Sequence, residues 1–244
     1  MNGVETESDS VPVESLNRIS LDIGEETMPA ATSARGFGFQ TGGEAEFIIE
    51  GDSIQPRLDS NTMTDIAFGS DPYVLADGTI YTLLDNGVPQ YEINAEYVNQ
   101  IVHDKQKEFL VGTTSTGDII WYDTKDTPQE IARQSFPFDS DSDVQLSIGF
   151  GWCFLVSGDI CYCYQVNDGN PDYTKIEIEG VAIEDVAMVD SVIILATSSG
   201  LYGLETPSFD TIWKEPTVKP HSISSSASDL VYGWTDDQFY LISP

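Results

Sequence analysis

Basic residues and histidine are scarce in this sequence. Its 244 residues include 10 lysines and arginines and 2 histidines against 41 aspartates and glutamates, which gives a formal net charge of −31. Such a charge repels phosphate backbones and anionic lipid, so nucleic acid and membrane are disfavoured as direct partners. A basic protein partner is favoured electrostatically, while acidity that only keeps the protein soluble is the simpler alternative. Strong acidity also suits a halophilic source, and composition alone does not decide this.

Cysteine is rare, and its positions form no metal-binding or redox motif. Cys153, Cys161 and Cys163 all lie in predicted strands, and no Cys-x-x-Cys pair occurs. Cys161 and Cys163 point to the same face of one strand, where a disulfide between them would be strained. The sequence therefore predicts three reduced thiols. Together with an acidic N-terminus and the lack of a long apolar run, this predicts a location in the cytoplasm and/or nucleus.

Motifs that carry chemistry are also absent from the sequence. His103 and His221 are far apart, and neither a Gly-x-Ser-x-Gly elbow nor a glycine-rich phosphate loop occurs. The segment 139–143, Asp-Ser-Asp-Ser-Asp, alternates oxygen ligands as a calcium loop does, but it lacks the glycine at the sixth position and the closing glutamate. We therefore expect no catalytic residue, no cofactor and no metal.

What the sequence does contain is a motif that returns five times at intervals of about 40 residues, a period typical of repeat architectures. Each copy is a hydrophobic strand, a polar corner that usually contains glycine, and a second strand with an aromatic residue. The copies begin at Ile66, Ile101, Ile148, Val186 and Ser224. Four short strands per repeat, stacked as sheets in a ring, bury both faces of each sheet and limit exposed edges. The sequence predicts an all-β fold, a β-propeller of about five four-stranded blades, with six or seven as alternatives.

The amino-acid composition of the chain changes near residue 35. Residues 1–34 are rich in serine and acids and poor in aromatics, which predicts a disordered acidic tail before a propeller at residues 35–244. Gly36–Phe39 matches only the second strand of a repeat pair, and residues 238–243 supply another strand at the far end. We therefore expect strands from the two ends to close the ring. The run 119–122 is continuously apolar, which predicts a strand covered on both faces.

Two segments carry a resemblance to a known family. One is the copy from Asp65-Ile-Ala-Phe-Gly69 to Asp77-Gly-Thr-Ile-Tyr81, and the other is the opening run Gly-Phe-Gly-Phe-Gln-Thr-Gly-Gly-Glu at residues 36–44. They resemble the regulator of chromosome condensation repeat family, in particular its short domain-containing members, over about residues 35–244. The resemblance implies a propeller, with roles that include guanine-nucleotide exchange on a small GTPase, chromatin association and service as an adaptor.

Two kinds of candidate site follow from a propeller. Asp65, Asp104, Asp185 and Asp190 lie near strand ends, where turn chemistry explains them, or where close carboxylates would serve a carbohydrate-active enzyme. Trp213 is expected to be partly exposed and to contact a partner, because exposed tryptophan is favoured in interface hot spots. We expect a non-enzymatic scaffold or adaptor that binds a protein partner. A guanine-nucleotide exchange regulator and a carbohydrate-active enzyme are the alternatives.

Overall fold

The computed structural model shows an all-β chain. The structure describes residues 13–15, 29–33, 36–41, 44–58, 63–104, 107–135, 138, 144–165, 172–225, 231–235 and 239–242. In these residues the strands form six four-stranded sheets. Within the same ranges no helix is long and apolar enough to span a membrane.

The first three sheets take their strands in chain order. Sheet 1 contains β2 (Pro29–Ser33), β3 (Gly36–Thr41), β4 (Glu44–Ile49) and β5 (Asp52–Ile54). Sheet 2 contains β6 (Met63–Phe68), β7 (Pro72–Ala76), β8 (Thr79–Leu83) and β9 (Pro89–Asn94). Sheet 3 contains β10 (Val98–Asp104), β11 (Phe109–Thr114), β12 (Asp118–Asp123) and β13 (Gln129–Ser135).

The next two sheets repeat this order, and the last combines both ends of the chain. Sheet 4 contains β14 (Gln145–Gly149), β15 (Trp152–Ser157), β16 (Ile160–Gln165) and β17 (Asp172–Glu177). Sheet 5 contains β18 (Ile183–Val189), β19 (Val192–Thr197), β20 (Gly200–Glu205) and β21 (Asp210–Glu215). Sheet 6 contains β22 (Ser222–Ser225), β23 (Val231–Trp234), β24 (Phe239–Ile242) and, beside β24, β1 (Val13–Ser15).

These sheets confirm the predicted class, a β-propeller of four-stranded blades, and their number is six. The five copies of the sequence motif fall in sheets 2 to 6. Sheet 1 was not among the five copies, and the expectation that Gly36–Phe39 matches the second strand of a repeat pair is wrong. β3 pairs with β4, the next strand in the chain, and so takes the place of the first strand of the pair, as β7 does with β8 in sheet 2. Strands from both ends of the chain share sheet 6, where β1 pairs with β24 with Val13 opposite Ile242. The N-terminal strand in that sheet is β1, from the expected tail, and not Gly36–Phe39 as the sequence suggested.

The predicted boundary at residue 34 differs from the structure. Two strands of the expected tail, β1 and β2, are paired with β24 and β3. An added strand at a sheet edge is held by main-chain hydrogen bonds, so a composition poor in apolar side chains does not prevent it from pairing. The other residues of 1–34 lie outside the described residues, and the predicted disorder there stays a prediction.

The chain divides into two compact units. The larger contains residues 20–157 and 162–174, and the smaller contains residues 1–19, 158–161 and 175–244. In the larger unit the first strands of consecutive sheets are neighbours, β2 with β6, β6 with β10 and β10 with β14. In the smaller unit β18 lies beside β22 in the same way. The first strand of each of these sheets therefore faces the first strand of the next.

The core lies in layers between successive sheets, and β12 shows how one strand serves two layers. Ile120 and Tyr122 pack with side chains of sheet 2, whereas Ile119 and Trp121 pack with side chains of sheet 4. Alternate residues of a strand point to opposite faces, so a continuously apolar run is what two-sided burial requires. The predicted two-faced strand at residues 119–122 is confirmed.

Candidate functional site

Trp213 is buried, so the expectation of a partly exposed contact residue is wrong. Its exposed fraction is 6%, and it packs with Leu201 and Val218 in the layer between sheets 5 and 6. In β21 it lies opposite Gly203 of β20, and a Cβ on that glycine would collide with the indole ring. The ring fills the space that the missing side chain leaves. Trp213 is therefore part of the core, and its burial removes the basis for a partner contact.

The predicted carboxylates Asp65, Asp104 and Asp185 accept hydrogen bonds from the backbone, whereas Asp190 is exposed in the turn after β18. Asp104 ends β10, is buried, and accepts from the amides of Lys107 and Gly151, which joins two turns of sheets 3 and 4. This arrangement matches the strand-end chemistry that the sequence predicted as the simpler explanation.

Asp65 and Asp185 have the same arrangement in two different sheets. Asp65 Oδ1 accepts the N–H of Ile66 at 2.8 Å, and its Oδ2 accepts the N–H of Ile101, in the first strand of the next sheet, at 2.7 Å. Asp185 Oδ1 accepts the N–H of Val186 at 2.8 Å. Its Oδ2 accepts the N–H of Ile223 at 2.8 Å and the hydroxyl of Ser222 at 2.7 Å. Each carboxylate therefore links two sheets.

A β-bulge precedes the linking residue and fixes its position. The pairing register shifts between Met63 and Asp65 in β6, and between Ile183 and Asp185 in β18. β10 has the same shift before Gln100, whose side-chain amide donates to the carbonyl of Val144 ahead of β14 at 3.0 Å. A bulge re-aims the side chain that follows it. We call Asp65, Gln100 and Asp185 the clasp residues.

Burial raises the pKa of both clasp carboxyls. For Asp65 and for Asp185 the pKa rises from 3.8 to about 6, because desolvation disfavours the charged form more than the donated hydrogen bonds favour it. Both groups are mostly ionised at neutral pH, and oxygens of both carboxyls are engaged by backbone N–H groups. The clasp is therefore an arrangement that holds sheets together.

His103 lies inside β10 and is buried. Its ring stacks on Tyr73 at 5.0 Å between centroids, and its Nε2 lies 3.1 Å from the hydroxyl of Thr124. Gly69 lies so close that a Cβ there would collide with the imidazole. His221 is exposed. In the described part of the chain no three histidines, cysteines or acids lie together in a metal-binding group, and segment 139–143 lies outside it.

The feature that sequence reasoning missed is a chain of aromatic rings in the larger unit. We call it the aromatic row, and its members are Trp121, Tyr164, Tyr173, Tyr162 and Phe138. Successive ring centroids lie 6.0, 5.5, 5.4 and 4.8 Å apart. These separations are typical of interacting aromatic pairs.

The aromatic row runs from the core to the surface. Trp121 and Tyr164 have no exposed surface, Tyr162 and Phe138 are half-buried, and Tyr173 on β17 is 50% exposed. Among the described residues, the indole N–H of Trp121 and the hydroxyl of Tyr164 find no hydrogen-bond partner. Burial raises the pKa of Tyr164, so its phenol stays neutral. The sequence carried one signal for this row, since Tyr162 and Tyr164 alternate on β16 and therefore share a face.

The fold and its repeated clasps define a β-propeller protein. No protein-family model matches the chain, and no curated protein matches it. Among solved structures it is similar to the β-propeller domain of Cps50 (Swd1) from Myceliophteria thermophila, with 11% identity and a TM-score of 0.54 over 96% of this chain and 100% of that one. It is also similar to BamB from Moraxella catarrhalis, with 12% identity and a TM-score of 0.58 over 95% of this chain and 72% of that one.

The computationally designed Ika8 protein is similar as well, with 12% identity and a TM-score of 0.58 over 87% of this chain and 82% of that chain. At such identities the similarity shows the fold alone. The regulator of chromosome condensation family therefore stays a resemblance.

Proposed function

We propose that this chain is a non-enzymatic protein-interaction scaffold that binds a basic segment of a protein partner. The observation that carries the proposal is the sign of the charge, with 41 acids against 10 basic residues on a framework of stacked sheets. A surface of one sign attracts partners of the opposite sign and speeds their encounter. The rigid sheets hold the loops and turns from which partner contacts come.

Among the residues that the structure describes, exposed side chains carry this imbalance in each unit. In the larger unit the exposed acids are Glu44, Glu50, Asp52, Asp77, Asp85, Glu92, Glu96, Glu108, Asp126 and Glu130, and the exposed bases are Arg57, Lys107, Lys125 and Arg133. In the smaller unit the exposed acids are Glu177, Glu179, Glu184, Asp190, Glu205 and Asp210, and the exposed bases are Lys175, Lys214 and Lys219.

The positions of the candidate catalytic carboxylates further support a non-enzymatic role. Asp65 and Asp185, two of the candidates, accept backbone hydrogen bonds that join sheets. A glycoside hydrolase uses one carboxyl to protonate the leaving oxygen and a second on the other side of the sugar. Carboxyls engaged by backbone amides are poorly placed for either role.

Selection of peptides from a random library on the full-length protein tests the proposal. We expect enrichment of arginine- and lysine-containing peptides that bind more tightly than scrambled peptides of the same composition. Affinity should fall as salt rises, because screening weakens attraction between exposed charges. Fluorescence anisotropy of the labelled peptides measures both effects. Equal affinity for selected and scrambled peptides, or enrichment of acidic peptides, would contradict the proposal.

A further inference from the structure

We infer that the outer end of the aromatic row, formed by Phe138, Tyr162 and Tyr173, binds an arginine side chain of the basic segment. This inference rests on the proposed function and names the place of contact. The rings of Phe138 and Tyr162 meet at 83°, and those of Tyr162 and Tyr173 meet at 76°. Nearly perpendicular rings form a corner, which is the arrangement that aromatic cages use to hold a cation against ring faces.

The buried end of the row supports this corner. Tyr164 packs against Tyr173 with centroids 5.5 Å apart, and Trp121 packs against Tyr164 on the other side. Both inner rings belong to the core layer between sheets 3 and 4. A half-exposed ring that leans on a fixed inner ring loses little conformational freedom when a ligand binds, so less binding free energy is spent on ordering it.

The charge of the surrounding sequence matches a cation. Between Arg133 and Lys175 the chain has no lysine, arginine or histidine, and it has aspartates at positions 139, 141, 143, 159, 168 and 172. The two bounding bases pair with acids of their own strands. Arg133 lies 2.9 Å from Glu130, and Lys175 lies 2.5 Å from Glu177. Net negative charge in the sequence segments that carry the three rings favours a cationic ligand over a neutral one.

In sheet 5 a tyrosine at the position equivalent to Tyr162 already has a cationic side chain of the same sheet over its ring. Tyr202 is the third residue of β20, as Tyr162 is the third residue of β16. Lys214 of β21 lies over the ring of Tyr202 with its Nζ 4.6 Å from the centroid. In sheet 4 the ring neighbouring Tyr162 from the fourth strand is Tyr173. Arginine suits such rings best, because its planar guanidinium stacks on aromatic faces and is weakly hydrated.

The test uses the full-length protein and a pair of probes, N-acetylarginine amide and N-acetylcitrulline amide, which share a shape and differ in charge. Aromatic carbon–proton NMR spectra follow the rings during titration. We expect arginine amide, and not citrulline amide, to shift the signals of Phe138, Tyr162 and Tyr173. The signals of Tyr97, which is 59% exposed elsewhere in the same unit, should not move.

Variants then assign the contact in a longer ligand, an arginine peptide obtained from the library. Tyr173→Leu should weaken its binding about threefold to fivefold, the range of an exposed cation–π contact, while Tyr173→Phe keeps the ring face and the affinity. Tyr97→Leu is the matched control and should bind as the original protein does. Because Tyr173 is half-exposed, its replacement leaves the fold intact, which circular dichroism of each variant checks.

The outcomes separate this inference from the proposed function. If the peptide binds and Tyr173→Leu has no effect, the scaffold proposal stands and the aromatic site is wrong. If no basic peptide binds the original protein, both fail. If maltose shifts the three aromatic signals and arginine amide does not, the surface takes a sugar and the inference is overturned.

Discussion

The clasp at Asp65 and the clasp at Asp185 place one residue type at one position of two sheets, yet they differ in burial and in the number of donors. Asp65 is partly exposed and accepts two backbone N–H groups. Asp185 is 5% exposed and accepts two backbone N–H groups and the hydroxyl of Ser222.

The pKa of both carboxyls nevertheless reaches about 6. Burial raises a carboxyl pKa, and each hydrogen bond to the charged form lowers it. The additional hydroxyl therefore offsets the deeper burial of Asp185. Gln100 occupies the same position in sheet 3 without any charge, and it reaches the next sheet by donating to Val144. In these three sheets an acid makes the link where the next sheet offers backbone N–H groups, and an amide makes it where the next sheet offers a carbonyl.

Removing each carboxylate should give the largest change in the free energy of unfolding, and the two changes should differ. Asp185→Ala leaves three donors without an acceptor, two of them amides in a buried strand junction. We expect it to lower the free energy of unfolding by about 3 to 4 kcal/mol, and Asp65→Ala by about 2 kcal/mol. Denaturation with urea, followed by circular dichroism, measures the difference.

The matched controls are the bulged residues immediately before the clasp. Glu184→Ala and Thr64→Ala remove exposed side chains of the same two strands and should change the free energy of unfolding by less than about 0.5 kcal/mol. Equal losses for the two aspartates, or a smaller loss at Asp185, would show that the third donor contributes nothing.

The dependence of stability on pH tests the raised pKa values. In the folded protein each clasp carboxyl has a pKa of about 6, above its ordinary value of 3.8. The folded state therefore binds the proton more tightly than the unfolded state does. The stabilisation that comes from this tighter proton binding is complete below pH 3.8, and it is lost as pH rises through about 6. We expect a loss of about 2 kcal/mol per carboxyl between about pH 4.5 and about pH 7.

The chain has 41 acids, so the measurement is a difference between proteins. Asp65→Asn and Asp185→Asn each remove one titrating group, and each should flatten the plot of unfolding free energy against pH by that amount. Glu184→Gln, at an exposed position beside Asp185, is the control for the loss of one negative charge on the same strand. A slope that is the same in all variants would mean that neither buried carboxyl has a raised pKa.

The sequence was sufficient to predict five of the six sheets, but it predicted neither sheet 1 nor the clasps. Continuous apolar runs such as 119–122 indicate two-sided burial because alternate side chains face opposite layers. Asp65 and Asp185 precede Ile-Ala and Val-Ala in two aligned copies, and this recurrence was visible. Their role was not, because a carboxylate in a loop and one that reaches the next sheet look alike until the bulge and the neighbouring strand are known.

The burial of Trp213 in the core was likewise not predictable from the sequence around it. Its neighbours in sequence are polar, Asp210, Thr211 and Lys214, which suggested a surface strand. What buries it is Gly203 on the adjacent strand, together with the shift in pairing that follows. In sheet 3 the corresponding pair is reversed, with Trp121 on the third strand and Ala132 on the fourth. In each pair a large side chain on one strand fills the space beside a small residue on the other. The sequence of one strand alone therefore does not show which strand carries the large side chain.

The smallest expected loss of stability comes from removing the hydroxyl of Ser222, a donor that Asp185 has and Asp65 lacks. Ser222→Ala removes the hydroxyl from Asp185 and should lower the free energy of unfolding at neutral pH by about 1 kcal/mol. Because that hydroxyl lowers the pKa of Asp185, its loss should also move the pH-dependent fall in stability to higher pH. Ser198→Ala, in the exposed turn after β19, is the control. In an Asp185→Asn background Ser222→Ala should cost at least about 0.5 kcal/mol less, since groups in one hydrogen-bond network are coupled. Additive losses would mean that the hydroxyl acts independently of the carboxylate, and that the two clasps differ only in burial.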